Sequence, residues 1–554
     1  MEETNNMDTA KQQAKESQEL QSALWDMANS LRGNMDANEF KNYILGLIFY
    51  KNLCDKEEKE ANNILKDDDI SFADAWEIED YREGPNGLRD QLSKKIGYCI
   101  EPKYLFSGLI PMIKDKTFSI DTLEKGIKSF DNSVQAAPIG DSLTEEERKK
   151  EEAKRESCFE GLFDDLDLHS NKLGKGEAEK SELIGKVLSR INNIELEAAD
   201  TQIDLLGDSY EYLIGKFAAS AGKKAGEFYT PQQVSKLLAK LVTKAQEKTD
   251  LKSVYDPACG SGSLLLRIGA EANVRSYYGQ ELNNTTYNLA RMNMLLHNLS
   301  YKQFSIYNGD TLGNPCPEHM EIAKREGFDA VVANPPYSAQ WSADSKFMED
   351  ERFSGYGKLA PKSKADYAFV LHMIYSLSES GTCAVVLPHG VLFRGAAEEV
   401  IRTTLIKERN YLDAVIGLPA NLFYGTSIPT CILVFKKCRE KGDNVLFIDA
   451  SKEFETEKNQ NRLTDANVDK IIETYMARKD VEKYAHCASM KEIEDNGYNL
   501  NIPRYVDTFE EEEPIDINAV MKDLKDLEKQ RRELDKEIAV YLKELGIDYG
   551  GDEQ

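Results

Sequence analysis

Residues 253–266 read SVYDPACGSGSLLL, a short β-branched run followed by a glycine-rich turn and the apolar start of a helix. A turn of this kind lets backbone N–H groups approach a ligand closely, with the helix N-terminus behind them. The dinucleotide-binding fingerprint needs a third glycine at position 265, which is leucine, and no lysine follows as in a phosphate-cradling loop. Taken alone, the stretch also fits an ordinary strand-to-helix turn of any α/β domain.

The sequence around this turn alternates between short β-branched runs and amphipathic helices, from about residue 226 to residue 450. Strands separated by helix-length connections predict a mostly parallel, doubly wound α/β sheet. The predicted strands are SVYD (253–256), SYYG (276–279), FSIY (304–307), DAVVA (329–333), CAVVLP (383–388), DAVIGL (413–418), CILVFK (431–436) and NVLFID (444–449).

Polar residues follow the second and third of these strands. Glu281 ends the second strand, where a carboxylate can hold a ribose diol, although a glutamate at a strand end is often only solvated. Asn308-Gly309-Asp310 follows the third strand and is first of all a turn. Because open α/β sheets bind ligands at the carboxyl ends of their strands, these residues predict a ligand site together with the glycine turn.

The fourth predicted strand ends in Asn334-Pro335-Pro336-Tyr337. The prolines fix φ and remove backbone donors, so we expect the Asn334 side-chain oxygen and the Pro335 carbonyl to converge as two acceptors. Two acceptors suit a nitrogen that carries two hydrogens, because accepting both favours the pyramidal nitrogen that attacks an electrophile. Tyr337 offers a flat face for stacking a base taken out of a duplex.

The segments outside the sheet are predicted to be helical. Residues 20 to about 130 keep helical spacing, and the charged run 141–157 predicts an exposed helix or linker. Near the end of the chain a seven-residue apolar repeat, broken only by Arg531, predicts a helix that binds a partner helix or folds back on the N-terminal helices. The repeat consists of Leu524, Leu527, Arg531, Leu534, Ile538, Tyr541 and Leu545.

Composition excludes several classes of protein. The 554 residues contain 70 Lys and Arg against 97 Asp and Glu, a net charge of −27, so DNA is repelled unless positive charge is local or a partner provides it. The apolar run YILGLIFY (43–50) is far shorter than the roughly 20 residues that cross a bilayer, and the N-terminus lacks a signal pattern, so we expect a cytoplasmic protein without a membrane partner. Nine scattered cysteines predict reduced, mostly buried thiols and no metal site.

The ordered motifs carry a family resemblance. DPACGSG (256–262), Glu281, NGD (308–310) and NPPY (334–337) resemble S-adenosyl-L-methionine (AdoMet)-dependent methyltransferases of the N6-adenine type. GEFYTP (226–231) resembles the additional AdoMet-contacting motif of that family, and its Thr230-Pro231 also begins an apolar-faced helix. Further stretches resemble the modification (methylation) subunit of type I restriction-modification systems, over most of the chain except the charged insertion near 140–180. These stretches are 24–50, 204–218, 386–395, 418–437 and 498–508.

The resemblance implies roles for individual residues. Asn334, Pro335, Pro336 and Tyr337 would be catalytic, with Tyr337 stacking on the flipped adenine and Phe423 on its other face, although an aromatic at that position is more often core. Asp310 would meet the adenine amino group of AdoMet, and no metal or general base would be needed, because in-line positioning is sufficient. The other cofactor-binding residues would be Glu227, Phe228, Tyr229, Thr230, Pro231, Gln232, Asp256, Gly260, Ser261, Gly262, Ser263 and Glu281.

The resemblance also implies a fold and a set of partners. We expect a Rossmann-like AdoMet-dependent methyltransferase domain at 201–480, an N-terminal helical domain at 1–200 and a C-terminal extension at 481–554 that ends in a helical tail. The chain has no room for a target-recognition domain and no nucleotide-binding motif of a translocase. The expected partners are therefore a DNA-specificity subunit, bound by two methylation subunits, a restriction (translocase and nuclease) subunit, and double-stranded DNA.

Two other functions remain open from the sequence. NPPY also occurs in methyltransferases that act on the side-chain amide of protein glutamine, since an amide nitrogen poses the same chemical problem. A non-catalytic scaffold could retain the fold without turnover. A stand-alone DNA-binding module is disfavoured by the net negative charge.

Overall fold

A nine-stranded sheet lies at the centre of the computed structural model. The structure describes residues 21, 22, 24–26, 29, 37–84, 86–136, 144–193, 205–221, 230–423, 426–457, 460–508 and 517–547. Its strands are β1 (Asp250–Asp256), β2 (Asn273–Glu281), β3 (Phe304–Asn308), β4 (Phe328–Ala333), β5 (Leu377–Pro388), β6 (Leu412–Gly417), β7 (Thr430–Phe435), β8 (Val445–Asp449), β9 (Glu455–Thr456), β10 (Asn461–Arg462) and β11 (Ala485–Ala488).

The strand order is β11-β8-β6-β7-β5-β4-β1-β2-β3, with β9 and β10 forming a separate antiparallel pair. Strand β7 runs antiparallel to β5 and β6, and β11 runs antiparallel to β8, whereas the remaining pairings are parallel. The predicted α/β class and mostly parallel sheet are confirmed. All eight predicted strands are present, and β9, β10 and β11 were not predicted.

Both faces of the sheet are buried. In β4, Ala330 and Val332 belong to one hydrophobic cluster, whereas Val331 and Ala333 belong to a second cluster. This alternation follows from strand geometry, in which successive side chains point to opposite faces. The near-continuous apolar strands are therefore typical of a parallel sheet that is covered by helices on both sides.

Helices precede the sheet and fill its connections. Before β1 they span Ala37–Leu65, Phe72–Glu77, Glu79–Arg82, Leu88–Ile96, Phe106–Lys114, Ile120–Ala136, Glu145–Phe159, Glu177–Asn192, Leu205–Ala221 and Gln232–Val242. Within and after the sheet they span Ser263–Glu271, Asn284–Leu296, Pro317–Arg325, Asp366–Ser376, Ala397–Thr403, Asp465–Ala477 and Met490–Asp495. The helical character predicted for the N-terminal region is thereby confirmed for its described part.

The charged run forms the exposed helix that its sequence predicts. A capping box between Thr144 and Glu147 begins the helix Glu145–Phe159, and residues 141–143 lie outside the described residues. One side of this helix is anchored beside β3, because the Tyr301 hydroxyl donates to Glu151 Oε1 at 2.7 Å. Its C-terminal end is buried through Phe159.

Residues 507–554 form a second compact unit. Its helix, Ile517–Glu544, bears the apolar repeat seen in the sequence. The exposed apolar side chains include Leu524, Leu527, Leu534, Ile538, Tyr541 and Leu545. The prediction of a long C-terminal helix is confirmed.

Two further expectations concern membranes and thiols. None of the helices in the described part of the chain is long and apolar enough to cross a membrane. Seven of the nine cysteines are buried, while Cys487 is half-buried and Cys438 is exposed. The thiols are therefore mostly buried, as predicted.

Candidate active site

The carboxyl ends of β1 to β4 place the four motifs along one edge of the sheet. Strand β1 pairs with β2 on one side and with β4 on the other, so the strand order reverses at β1. Ligands of open α/β sheets bind outside the strand ends at such a switch point. The glycine turn after β1 and the NPPY turn after β4 are therefore neighbours across it.

The glycine turn leaves room for a ligand. Gly260 and Gly262 have φ values of +55° and +78°, in the left-handed region that favours glycine. A Cβ atom on Gly260 would meet nothing within 4 Å, whereas one on Gly262 would lie 2.9 Å from the Met294 methyl group. Gly262 also begins the helix Ser263–Glu271. The backbone at Gly260 is thus open to close approach, while Gly262 is required for packing.

Glu281 connects the second strand to this turn. Its Oε2 atom accepts from the Gly260 N–H at 3.0 Å, and its Oε1 atom accepts from the Asn283 N–H at 2.8 Å. The Ser261 and Ser263 hydroxyls lie 3.0 Å apart on the same turn. These contacts bring the predicted ribose carboxylate and the predicted turn residues into one cluster.

Asp256 lies beneath the turn and is 2 % exposed. Its Oδ1 atom accepts from the Ala258 N–H at 2.9 Å, which stabilises the turn. Burial, assisted by the charge of Glu281, raises the pKa of Asp256 to about 8. The side chain is therefore largely protonated near neutral pH.

The loop after β3 presents Asp310 as an exposed side chain, whose Oδ1 atom accepts from the Leu312 N–H at 3.0 Å. Arg352 stabilises the loop, because its guanidinium donates to the carbonyls of Thr311 and Leu312 at 3.0 and 2.9 Å. Asp350 pairs with the same guanidinium at 2.7 Å. Arg352 was not predicted, and its spacing of two residues from an acid gives no hint of this role.

Asn334 lies at the centre of the turn after β4 and is 9 % exposed. Its Nδ2 atom donates to the Thr230 hydroxyl at 3.1 Å, and its Oδ1 atom accepts from the Tyr337 hydroxyl at 2.8 Å. Burial raises the pKa of Tyr337 well above its ordinary value, so the hydroxyl remains a donor. Within the described residues no donor contacts the Pro335 carbonyl, and Pro336 is exposed.

The GEFYTP segment is only partly described. Thr230, Pro231 and Gln232 lie at the start of the helix Gln232–Val242, as predicted, and Pro231 caps it. Glu227, Phe228 and Tyr229 lie outside the described residues. The Thr230 hydroxyl therefore provides the contact between this segment and the NPPY turn.

The two candidate stacking rings contact each other. The Tyr337 and Phe423 centroids are 5.9 Å apart with an interplanar angle of 81°, an edge-to-face contact. Phe423 is 2 % exposed, as expected for a core aromatic. A base that stacks between the two rings would require them to separate.

An ion-pair network behind the NPPY turn was not predicted. Asp366, 1 % exposed, accepts from the Ser338 N–H at 2.8 Å and from Arg394 Nη2 at 2.5 Å. Arg394 Nε donates to Glu398 Oε2, also at 2.5 Å. Ser338 has a φ of +52°, so the network holds the residue after the motif in a conformation that side chains seldom adopt.

Leu282 is an exposed apolar residue at this edge of the sheet that was not predicted. It directly follows Glu281 and is 71 % exposed, an unusual exposure for an apolar side chain beside a ligand edge. An apolar residue immediately after the acidic end of the second strand is the signal that could have identified it.

Comparison with known proteins gives consistent results. The chain matches the family model for N-6 DNA methylases over residues 201–514 and the model for the HsdM N-terminal domain over residues 20–191. It is 37 % identical to the type I restriction enzyme MpnII methylase subunit of Mycoplasma pneumoniae, over 96 % of this chain and 97 % of that protein. It is 28 % identical to the MjaIX methylase subunit of Methanocaldococcus jannaschii over 96 % and 92 % of the two chains. The crystal structure of a type I restriction-modification methyltransferase subunit from Streptococcus thermophilus superposes with a TM-score of 0.77 at 43 % identity, covering 89 % of this chain and all of that one.

Proposed function

This chain belongs to the family of type I restriction-modification methylase subunits, within the N-6 DNA methylases, and we propose that its motifs divide the reaction between a cofactor pocket and a target-base turn. It is a DNA methyltransferase specific for the N6 amino group of adenine.

The cofactor pocket is proposed to lie against the glycine turn. The open space at Gly260 fits a ligand at this position, and Glu281 is suitably placed for a ribose. AdoMet, when bound, supplies an electrophilic methyl group. Leu282 would cover one face of the adenine ring, and Asp310 would accept from its amino group. Asp256, Ser261, Gly262 and Ser263 would shape the rest of the pocket with residues Glu227 to Gln232.

The target-base turn is proposed to activate the amine. Asn334 Oδ1 and the Pro335 carbonyl would each accept a hydrogen bond from one N–H of the adenine amino group. These two bonds would localise the nitrogen lone pair. The contact that carries this proposal is the amide of Asn334, held between Thr230 and Tyr337. In this arrangement Nδ2 faces the Thr230 hydroxyl and Oδ1 faces the hydroxyl of Tyr337. The adenine amine would replace that hydroxyl, and Tyr337 would then stack on the base, with Pro336 keeping the turn rigid and Phe423 on the far side.

The partners and domain division form a second part of the proposal. A DNA-specificity subunit would supply site choice and bind two copies of this chain, and a separate restriction subunit would translocate and cleave DNA. The exposed apolar repeat of the helix Ile517–Glu544 supports docking to the specificity subunit. The proposed division is a helical domain at 1–200, a catalytic domain at 201–480 and an extension at 481–554. The matched ranges 20–191 and 201–514 support its first boundary, near residue 200. Because the substrate is DNA, a cytoplasmic location belongs to the same proposal.

The two alternative functions are not favoured, because relatives that align over nearly the whole chain are type I methylase subunits. The test is transfer of a labelled methyl group from AdoMet by the complex with the specificity subunit, followed by digestion of the DNA to nucleosides. We expect the label in N6-methyl-2′-deoxyadenosine. Label in protein, label on cytosine, or AdoMet binding without transfer would each contradict the proposal.

A further inference from the structure

One segment beside the NPPY turn concentrates positive charge in an otherwise acidic chain. Residues 355–365, GYGKLAPKSKA, contain Lys358, Lys362 and Lys364 and no acidic residue, although the whole chain carries a net charge of −27. Lys364 is half-buried and lies near Glu398, so its charge is partly balanced. Lys358 and Lys362 are exposed.

The backbone fixes this segment against the residues that follow the target-base turn. The Trp341 N–H donates to the Lys362 carbonyl at 3.0 Å, and the Ala365 N–H donates to the Ala339 carbonyl at 2.9 Å. The Trp341 indole donates to the carbonyls of Ala360 and Pro361, both at 3.2 Å. These bonds hold the backbone around Lys362 against the residues that follow the NPPY turn, and Lys358 precedes the anchored part by two residues.

The Trp341 anchor is itself well packed. It is 7 % exposed and contacts Phe347 and Phe353, with ring centroids 5.3 and 5.5 Å away. An anchor in a buried aromatic cluster costs little further entropy when a ligand binds, because the loop is already ordered.

The two exposed lysines have charge available for a partner. Among the described residues no carboxylate forms an ion pair with Lys358 or Lys362. By contrast, Lys236 and Lys240 near the start of the sheet pair with Asp465 and Asp469 at 3.0 and 2.6 Å. These two pairs show how a carboxylate on a neighbouring helix can neutralise a lysine of this acidic chain.

We infer that residues 355–365 form a contact surface for the phosphate backbone of the DNA that flanks the target adenine. The inference rests on the proposed function, since it takes DNA as the substrate, and it deepens that function by naming the groups that overcome the net negative charge. The ammonium group of lysine is a compact charge that suits a phosphate. Because phosphates carry no sequence information, these contacts would position the duplex while a partner reads its bases. Both lysines act through charge alone.

The test is the salt dependence of DNA binding by the complex with the specificity subunit, measured with a duplex of arbitrary sequence. The test variant is Lys358→Gln with Lys362→Gln. Its matched control is Lys252→Gln with Lys479→Gln, because these lysines are also exposed and lie at the opposite edge of the sheet, at the start of β1 and beside Arg478, which pairs with Asp413 of β6. Thermal unfolding of both variants should match wild type.

Each phosphate contact contributes about 0.9 to the slope of log K against log salt, so losing two lowers the slope by about 1.8. Between 50 and 200 mM salt the wild type should then lose roughly 12-fold more affinity than the test variant. The control should keep the wild-type slope, and methyl transfer by the test variant at saturating DNA should keep the wild-type kcat while KM for DNA rises. An unchanged slope in the test variant, or an equal change in the control, would overturn the inference. The proposed function fails separately, if wild type itself transfers no methyl group to DNA.

Discussion

Replacing Asp366 should separate the positioning of the NPPY turn from the stability of the fold. Asp366→Ala removes the acceptor of the Ser338 N–H and one of the two carboxylates around Arg394. Breaking a buried ion pair costs about 3–5 kcal/mol. Because Arg394 is 19 % exposed and keeps Glu398, we expect the lower end, about 3 kcal/mol. The released turn should also shift, and a misplacement of about 1 Å can cost about 100-fold in rate.

Asp413→Ala is the matched control. Asp413 is also buried and pairs with Arg439 and Arg478 at 2.8 and 3.1 Å, but it lies at the far end of β6 from the site. Both variants should unfold at lower denaturant concentrations, whereas only Asp366→Ala should lower kcat by about 100-fold, with the affinity for AdoMet unchanged. A wild-type kcat in Asp366→Ala, or an equal loss of kcat in Asp413→Ala, would refute this reasoning.

Two further predictions concern other parts of the molecule. The folded-state pKa of Asp256 is raised from its ordinary value of 3.8 to about 8. The stability contributed by the protonated side chain is therefore lost as pH rises from about 4 through about 8. Asp256→Asn should therefore flatten the fall of Tm with increasing pH in this range, and a curve parallel to wild type would contradict the assignment. Deleting residues 515–554 should abolish co-purification with the specificity subunit, whereas the isolated methylation subunit should still bind AdoMet. Full recovery of the complex would show that the C-terminal helix is not the docking element.

The sequence predicts the sheet because the residue composition of each strand, and the motif that follows it, can be seen within a few consecutive residues. The runs that became β1 to β8 are rich in β-branched or aromatic residues, helices separate β1 to β6, and each chemical motif follows directly after its strand. The missed strand β11 reads AHCA, which has no β-branched residue and no Phe, Tyr or Trp. It forms because its backbone pairs with the edge of β8, a tertiary contact that a propensity does not report.

The contacts within the candidate site were less predictable because they also join residues that are far apart in the chain. Asn334 was identified from its motif, but its bond to Thr230 joins residues far apart in the chain. Asp366 and Arg394 are 28 residues apart, and neither lies within a predicted motif that requires the other. The sequence identifies the groups that meet a ligand, whereas the groups that hold them in place depend on the packing of distant segments.

The most direct test of the central claim is the single-turnover rate of methyl transfer to adenine in DNA by Asn334→Ala, with the specificity subunit and saturating AdoMet. Removing one preorganised hydrogen-bonding group typically costs about 100- to 1000-fold in rate. We predict a loss of that size, with AdoMet affinity and DNA affinity close to wild type, because Asn334 acts on the target amine. A wild-type rate in Asn334→Ala would show that the NPPY turn does not activate the amine.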